Sequence, residues 1–572
     1  MNDKLRLRTR VVLISVILFA IVIVVNLYWL QIVNGSDYAR KAELQYVRPN
    51  ISLLDRGSIF LRTKDGTKIQ GATLKSGYKV YINPSILTDS DTVYQAISEY
   101  IDIDRGDFDK KVSKVNDKYE ELADKVPEQS AFSIRNLKIP GLGITKEIWR
   151  VYPGERMLAH ELGILGESAS SSVVVGRYGL ERSYENVLNR SESSSVSNIF
   201  AQLFSDSENK EFNDIPKKEG DIITTIEPTV QKYLEKVLEQ IQDKWKPETT
   251  GGIVIDPNTG EIIAMSSLPN FNPNNTKEIK DVRVLSNPLV ESAYEMGSII
   301  KPLTMATALD FGAITADYKY EDTGTMILNG KKISNHDNKA RGMTNMQDLL
   351  GYSLNIGAAK IALKVGKDAL ASYFFSFGFG TKTGIDLPNE SSGIVGNLRT
   401  AKDVEIATAS FGQGIAMSPI AVTKALSILA NGGYIIRPHL VKEIHYNDGT
   451  IEKVSINNKN RVLKKQTTDE VTEMLVKVVD NSLLKGAIKN DRYSIAAKTG
   501  TAQIADHVKG GYYPDRYLHS FFGYFPAYNP KYLVFFFQVH PKGTEYASDT
   551  LTEPFNQMTK FLINYYNIAP DR

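Results

Sequence analysis

The sequence predicts an α+β protein in which an apolar N-terminal helix precedes two folded domains, the second built on one antiparallel sheet flanked by helices. Three observations carry this reading. Val11–Leu30 is almost wholly apolar. Strand-like runs stand at both ends of the region after Gly220, with helical periodicity between them. A chain of 572 residues is too long for one compact core.

The first element begins with a tail carrying Lys4, Arg6, Arg8 and Arg10 against Asp3. Twenty helical residues span roughly 30 Å, one bilayer core. Ser15 and Asn26 interrupt the apolar run, Tyr28 and Trp29 stand where an interfacial aromatic belt belongs, and no small-x-small cleavage pattern follows. The expectation is a cytoplasmic tail over 1–10 and an uncleaved transmembrane anchor over 11–33, with the remainder outside the cytoplasmic membrane. A first domain over 34–220 mixes extended runs such as Tyr78–Ile82 with a charged helical stretch from Asp104 to Lys125. Ser168–Ser172 and Ser191–Ser197 read as surface loops.

The second domain, 221–572, opens with a helix predicted over Pro228–Lys244, whose apolar residues Val230, Leu234, Val237, Leu238 and Ile241 recur at three and four. Gly252–Asp256 and Glu261–Met265 then read as two strands around the turn Pro257–Gly260. Ser520–Phe525 and Tyr532–His540 form a second pair, and Glu553–Asn567 a closing helix. Phe535–Phe537 belongs to a buried strand.

Composition excludes more than it identifies. A formal net charge of +2 gives no electrostatic case for a nucleic-acid partner. With no cysteine, disulfides, thiolate metal sites and cysteine nucleophiles are excluded. The seven histidines, at 160, 336, 439, 445, 507, 519 and 540, form no ligand spacing, so neither metal nor cofactor is expected. Asp337 beside His336 reads as a surface or substrate-loop residue.

The informative segment is Glu295-Met-Gly-Ser298-Ile-Ile-Lys301-Pro302, running into an apolar stretch that ends at Leu309. A serine and a lysine three apart at a helix start share one face. A serine hydroxyl attacks only when a base takes its proton, and lysine is such a base only when held neutral. Burial and the positive helix N-terminus both favour the neutral amine. Gly297 permits a sharp entry, and Pro302 is tolerated in the first turn. The pair alone carries little weight, because Ser76/Lys79 and Ser207/Lys210 share its spacing. Ser353-Leu-Asn355 and Lys498-Thr499-Gly500-Thr501 supply two further elements in order. Competing copies stand at Ser207-Glu-Asn209, Ser455-Ile-Asn457 and Lys382-Thr383-Gly384. Context separates them: Ser353 lies between apolar neighbours, whereas Ser455 opens a polar run and Ser207 precedes the first motif. Lys498 closes the extended run Tyr493–Ala497, whereas Lys382 lies in a glycine- and proline-rich turn.

These three motifs resemble the signature of serine penicillin-recognising enzymes. Over nearly its full length the chain is similar to a monofunctional, class B penicillin-binding protein. Arg56-Gly-Ser-Ile59, Arg150-Val-Tyr-Pro153, His160-Glu-Leu-Gly163 and Gly179-Leu-Glu181 resemble the family's non-catalytic pedestal. Asp256–Met265, Pro269, Gly412-Gln-Gly414 and Asn431-Gly-Gly433 resemble its transpeptidase domain. Met296 departs from a frequent proline, and Leu354 sits at a variable position. The resemblance implies an elongated mixed α/β pedestal of dimerisation type over 34–220. It also implies a catalytic domain with a five-stranded antiparallel sheet and an all-helical subdomain.

By the same resemblance, Ser298 attacks the carbonyl between two terminal D-alanines of a stem peptide, with Lys301 as base and Ser353 relaying a proton. Asn355 orients the substrate amide, and Lys498, Thr499, Gly500 and Thr501 bind the substrate, the lysine facing its carboxylate. The Ser298 and Thr501 backbone N–H groups form the oxyanion hole. Implied partners are stem peptides, their lipid-linked precursor, β-lactam antibiotics and cell-division proteins. Because the pedestal lacks the acidic Glu-Asp-x-x-Phe motif of bifunctional relatives, a polytopic membrane glycosyltransferase is implied as well. Phe377–Glu390 looks closest to the division-specific, septal branch. An elongation-type transpeptidase, a β-lactamase, a membrane-bound β-lactam sensor and a scaffold with a vestigial site stand as alternatives.

Overall fold

The computed structural model describes residues 2–29, 55–167, 174–190, 218–399, 402–454, 460–506 and 508–572, the side chains up to residue 12 and of Ser15 excepted. The serine-rich runs, the motif copies at 207–210 and 455–457, and His507 lie outside the described residues. The chain forms two compact units, one of Met1–Leu54 with Ser76–Ile148 and one of Asp55–Lys75 with Trp149–Arg572.

In the first unit a helix covers Asn2–Tyr28, and its apolar side chains from Leu13 onward are exposed. No helix among the described residues is long and apolar enough to cross a membrane, and the end of the anchor expected over 11–33 lies outside them. Farther along, the strand ending at Ile82 pairs antiparallel with Glu120–Val126 around a core of Val80, Ile82, Ile97, Phe108, Leu122 and Ile134. The single charged helix expected over 104–125 is therefore corrected. Asp104 caps a helix over Arg105–Val112, but an Asx turn, in which Asp117 accepts from the Tyr119 N–H, precedes the strand. Burial of Leu122 and Val126 outweighs the helical spacing of the charges.

The second unit uses, in chain order, β1 (Ile59–Arg62), β2 (Gly220–Thr224), α1 (Pro228–Trp245), β3 (Thr249–Ile255), β4 (Ile262–Leu268), α2 (Lys301–Phe311), α3 (Asn355–Val365), β5 (Val441–Tyr446), α4 (Lys465–Lys477), β6 (Ala496–Ala505), β7 (Tyr512–Phe525), β8 (Tyr532–Val539) and α5 (Ala547–Tyr566). The central sheet runs β6-β7-β8-β3-β4, every pair antiparallel, with β6 on one edge. Phe535, Phe536 and Phe537 on β8 are fully buried, as a central strand requires. Glu227 caps α1, which packs Val230, Leu234, Val237 and Leu238 inward. The closing helix α5 starts at Ala547, six residues before the expected Glu553. Burial of Leu551, Phe555, Met558 and Leu562 outweighs the backbone bond that Pro554 cannot make.

The expected all-helical subdomain is also corrected, since it carries two small antiparallel pairs, Lys319–Asp322 with Gly342–Asn345 and Thr325–Leu328 with Lys331–Ser334. Asn329 and Gly330 join the latter with φ of 49° and 74°, the two positive angles of a tight hairpin turn. β1, β2 and β5 form a separate ladder, β1 with β2 parallel and β2 with β5 antiparallel. Beside it the landmarks Arg56, Arg150 and Glu181 converge. Arg56 Nε lies 2.7 Å and Arg150 Nε 2.6 Å from the fully buried Glu181 carboxylate, and Arg56 reaches Glu185 at 2.8 Å. Burial works against charge on Glu181, but Arg150 and Arg56 hold its carboxyl below the usual value.

Candidate active site

The nucleophile turn is pinned residue by residue. Tyr294 exchanges backbone hydrogen bonds with Met417, the Met296 carbonyl accepts from the Ser520 hydroxyl at 2.8 Å, and the Gly297 N–H donates to Gly412 O at 3.1 Å. Gly297 has φ of +66°, and a Cβ there would lie 2.7 Å from Thr501 O, so glycine is required. Gly500 is required for closeness too: its Cβ would meet Met296 O at 2.6 Å and collide with Ser520 Oγ. The turn therefore lies directly against β6. Ser298 sits in a 3-10 turn, Gly297–Ile300, that leads into α2, where Lys301 is the first residue.

Lys301 is completely buried, and its Nζ lies 2.8 Å from Ser298 Oγ, 2.6 Å from Ser353 O, 3.1 Å from Ser353 Oγ and 2.8 Å from Asn355 Oδ1. An ammonium has three hydrogens for these four oxygens, whereas a neutral amine has two hydrogens and a lone pair. Lys301 Nζ donates towards all four oxygens; a neutral amine would keep two of these donations and turn its lone pair to the Ser298 hydroxyl. Burial, and then the charge of Lys498, push Lys301 well below an ordinary lysine. Lys498, 2% exposed, donates to Ser353 Oγ at 3.0 Å and Thr499 O at 2.9 Å, and burial lowers its pKa to about 7.

Ser353 thus joins the two lysines through one hydroxyl. It adopts φ of +56°, a left-handed conformation that costs a non-glycine residue on the order of 1–3 kcal/mol. In that conformation its carbonyl and hydroxyl both point at Lys301. Asn355 uses Oδ1 on Lys301 and one Nδ2 hydrogen on Ser334 O at 2.8 Å, leaving its second amide hydrogen. Thr501 Oγ1 accepts from the Ala547 N–H at the start of α5, and Thr499 contributes its carbonyl. Ser298, Lys301, Ser353, Asn355 and Lys498 are therefore brought into one connected cluster, with Thr499–Thr501 along its β6 wall. Lys382, in the competing copy, is exposed in the loop after Phe379.

Asn335 carried no sequence signal, because long-range folding alone places it, and the His336–Asp337 pair lies beside it. Asn335 caps α3 by accepting from the Ile356 N–H and donates to the buried Asp322. His336 lies with its ring 6.2 Å from Tyr546, edge to face. Burial lowers its pKa, Asp337 opposes the shift, and Lys301, Arg341 and Lys498 add to it. Asp337 itself pairs with Arg341 at 2.8 Å. Among the described residues no cluster of three histidine or acidic side chains could hold a metal.

A buried lysine hydrogen-bonded to a serine at a helix start, beside a second buried lysine on an edge strand, defines a serine–lysine acyl-transfer constellation. The profile described as Penicillin binding protein transpeptidase domain matches residues 250–560, more than half of the chain, and the Penicillin-binding Protein dimerisation domain matches 55–225. The chain belongs to the penicillin-binding protein transpeptidase family and is of the class B type. It is 29% identical to Stage V sporulation protein D of Bacillus subtilis, over 97% of this chain and 84% of that protein. It is 26% identical to Peptidoglycan D,D-transpeptidase FtsI of Buchnera aphidicola subsp. Schizaphis graminum, over 97% and 94%. The fold matches Penicillin Binding Protein 2X from Streptococcus thermophilus with a TM-score of 0.72 and 20% identity, covering 90% of this chain and 79% of that one. It also matches Penicillin binding protein 3 of Mycobacterium tuberculosis, solved with aztreonam, with a TM-score of 0.66 and 21% identity, covering 91% and 97%.

Proposed function

We propose that this protein is a peptidoglycan D,D-transpeptidase acting through a Ser298 acyl-enzyme and acylated by β-lactams. The observation that carries the proposal is Lys301, completely buried and 2.8 Å from Ser298 Oγ. Lys301 Nζ takes the Ser298 proton as Oγ bonds to the carbonyl carbon of the penultimate D-alanine. Negative charge gathers on the carbonyl oxygen, facing the backbone N–H groups of Ser298 and of Thr501 on edge strand β6. Collapse breaks the C–N bond, and the departing D-alanine nitrogen receives the proton through Ser353, which both lysines touch. An acceptor amine then attacks the ester, loses its proton to the same lysine–serine pair and returns Ser298 to its hydroxyl form. Lys498, Thr499, Gly500 and Thr501 bind the donor along β6, where Lys498 faces the terminal carboxylate. Asn355 offers its remaining amide hydrogen to the substrate backbone.

The same reading places the protein at the cytoplasmic membrane, anchored over 11–33 with the basic tail inside and the catalytic domain outside; the exposed apolar side chains from Leu13 to Trp29 support it. A polytopic glycosyltransferase and division proteins are its proposed partners. Its closeness to the septal branch rests on Phe377–Glu390, where Glu390 accepts from the N–H groups of Thr383 and Gly384. A functional fluorescent fusion is expected to concentrate at the septum, and uniform sidewall signal overturns that assignment. Ser298→Ala is expected to abolish covalent labelling by a fluorescent penicillin while the fold survives. Labelling that persists removes Ser298 from the mechanism.

A further inference from the structure

The segment before Ser298 carries a carboxylate that the mechanism above does not use. Glu295 is half-buried. Its Oε1 accepts from the Gly414 N–H at 3.1 Å, and the Tyr512 hydroxyl donates to it, 3.0 Å from Oε2 and 3.3 Å from Oε1. Tyr512 opens β7 and pairs with Ala505 at the far end of β6, beyond an irregularity in the register after Gln503. Its hydroxyl therefore reaches from the tip of the β6–β7 hairpin to the residue three before the nucleophile. Burial and then the charge of Glu295 push the Tyr512 pKa upward, so the phenol stays a donor.

The ties holding the nucleophile turn divide by origin. Tyr294, Glu295 and Gly297 are all bonded to the 412–417 segment, which Asn397 holds in turn through Gly414 O at 2.7 Å. Met296 is bonded to Ser520, in the buried middle of β7. Only the Tyr512 bond among these reaches the exposed end of the hairpin, where Tyr512 is 39% exposed. β6 is an edge strand whose inner partner is that same hairpin arm. A donor peptide laid along β6 is placed relative to Ser298 only as well as the hairpin is placed.

We propose that Tyr512 and Glu295 are positioning residues for acyl transfer, their hydrogen bond setting the reach of the β6–β7 hairpin against the nucleophile turn. The inference rests on Ser298 being the nucleophile. Neither residue touches the reacting atoms in this account, so their loss acts on the rate of bond formation and not on the number of competent sites.

The test is stopped-flow acylation of the full chain by a fluorescent penicillin, resolving the dissociation constant from the acylation rate constant. Tyr512→Phe is expected to slow acylation about tenfold, with the dissociation constant within about twofold, the burst amplitude intact and the pH midpoint unmoved. Glu295→Gln, which keeps an acceptor oxygen, is expected to fall between Tyr512→Phe and wild type, and Glu295→Ala to be slowest. Tyr512→Phe reacting at the wild-type rate overturns the proposal. A reduced burst amplitude with an unchanged rate in the surviving fraction also overturns it, because that is the signature of lost folding. Ser298→Ala in the same assay separates the two readings: continued labelling there defeats the nucleophile assignment, whereas a silent Ser298→Ala beside a normal Tyr512→Phe defeats only the clamp.

Discussion

Two regions of the second unit bury cations, and they treat them in opposite ways. Around Glu181, two arginines meet two carboxylates at 2.6–2.8 Å, so the buried charges balance. Around Ser353, Lys301 and Lys498 are equally buried, yet no carboxylate contributes to the shift of either. Balanced charges keep their ordinary protonation and hold segments together, whereas unbalanced ones lose their protons or wait for an anion. On the proposed mechanism, the difference separates a brace from a reaction centre.

That contrast can be broken in order of effect. Lys301→Met should slow penicillin acylation about 10²–10⁴-fold, the range for losing a general base, while the thermal midpoint holds or rises as a buried amine disappears. A large fall in the midpoint with acylation preserved would make Lys301 a second brace. Glu181→Ala should do the reverse, costing about 3–5 kcal/mol in a denaturation experiment because two arginines lose their partner, while the folded fraction acylates normally.

Lys498 gives a smaller, pH-dependent signature. Its folded pKa of about 7 lies below the 10.5 of an unfolded lysine, so the unfolded chain binds more protons between those values. The penalty is full below pH 7 and is relieved as pH rises towards 10.5. Lys498→Met should therefore stabilise most below pH 7, with the gain shrinking at higher pH; urea titrations at pH 6 and 9 check the sign. A carboxylate ligand should also drive proton uptake at pH 8, seen by calorimetry in buffers of different ionisation enthalpy. Lys382→Ala stands last: exposed and making none of the cluster's hydrogen bonds, it should leave labelling within about twofold and stability within about 0.5 kcal/mol.

Much of this was legible in residue order. Ser298, Lys301, Ser353, Asn355 and Lys498 stood out because their chemistry needs fixed types at short local spacings, and α1, β3 and β4 because their periodicity is strong. The starts of β7 and α5 were not: Tyr512–His519 is too polar to read as a strand, and Pro554 reads as a helix stop. The Asn329-Gly330 hairpin carried its signal and was still absorbed into an all-helical expectation implied by resemblance. Glu295, Ser334, Asn335 and Ser520 were illegible in principle, because their roles exist only once distant segments meet.

The edge position of β6 has a bearing on selectivity. An open strand edge offers the same row of amides and carbonyls to any extended peptide, so pairing along it cannot tell one sequence from another. On the proposed role of Lys498, what separates peptides is where they stop: one with a free terminus sets its carboxylate beside the lysine, and one that runs on brings an uncharged amide to a site with an uncompensated cation. A protein built this way reads chain ends rather than chain sequences, and in a polymer as repetitive as a wall, ends are the scarce information.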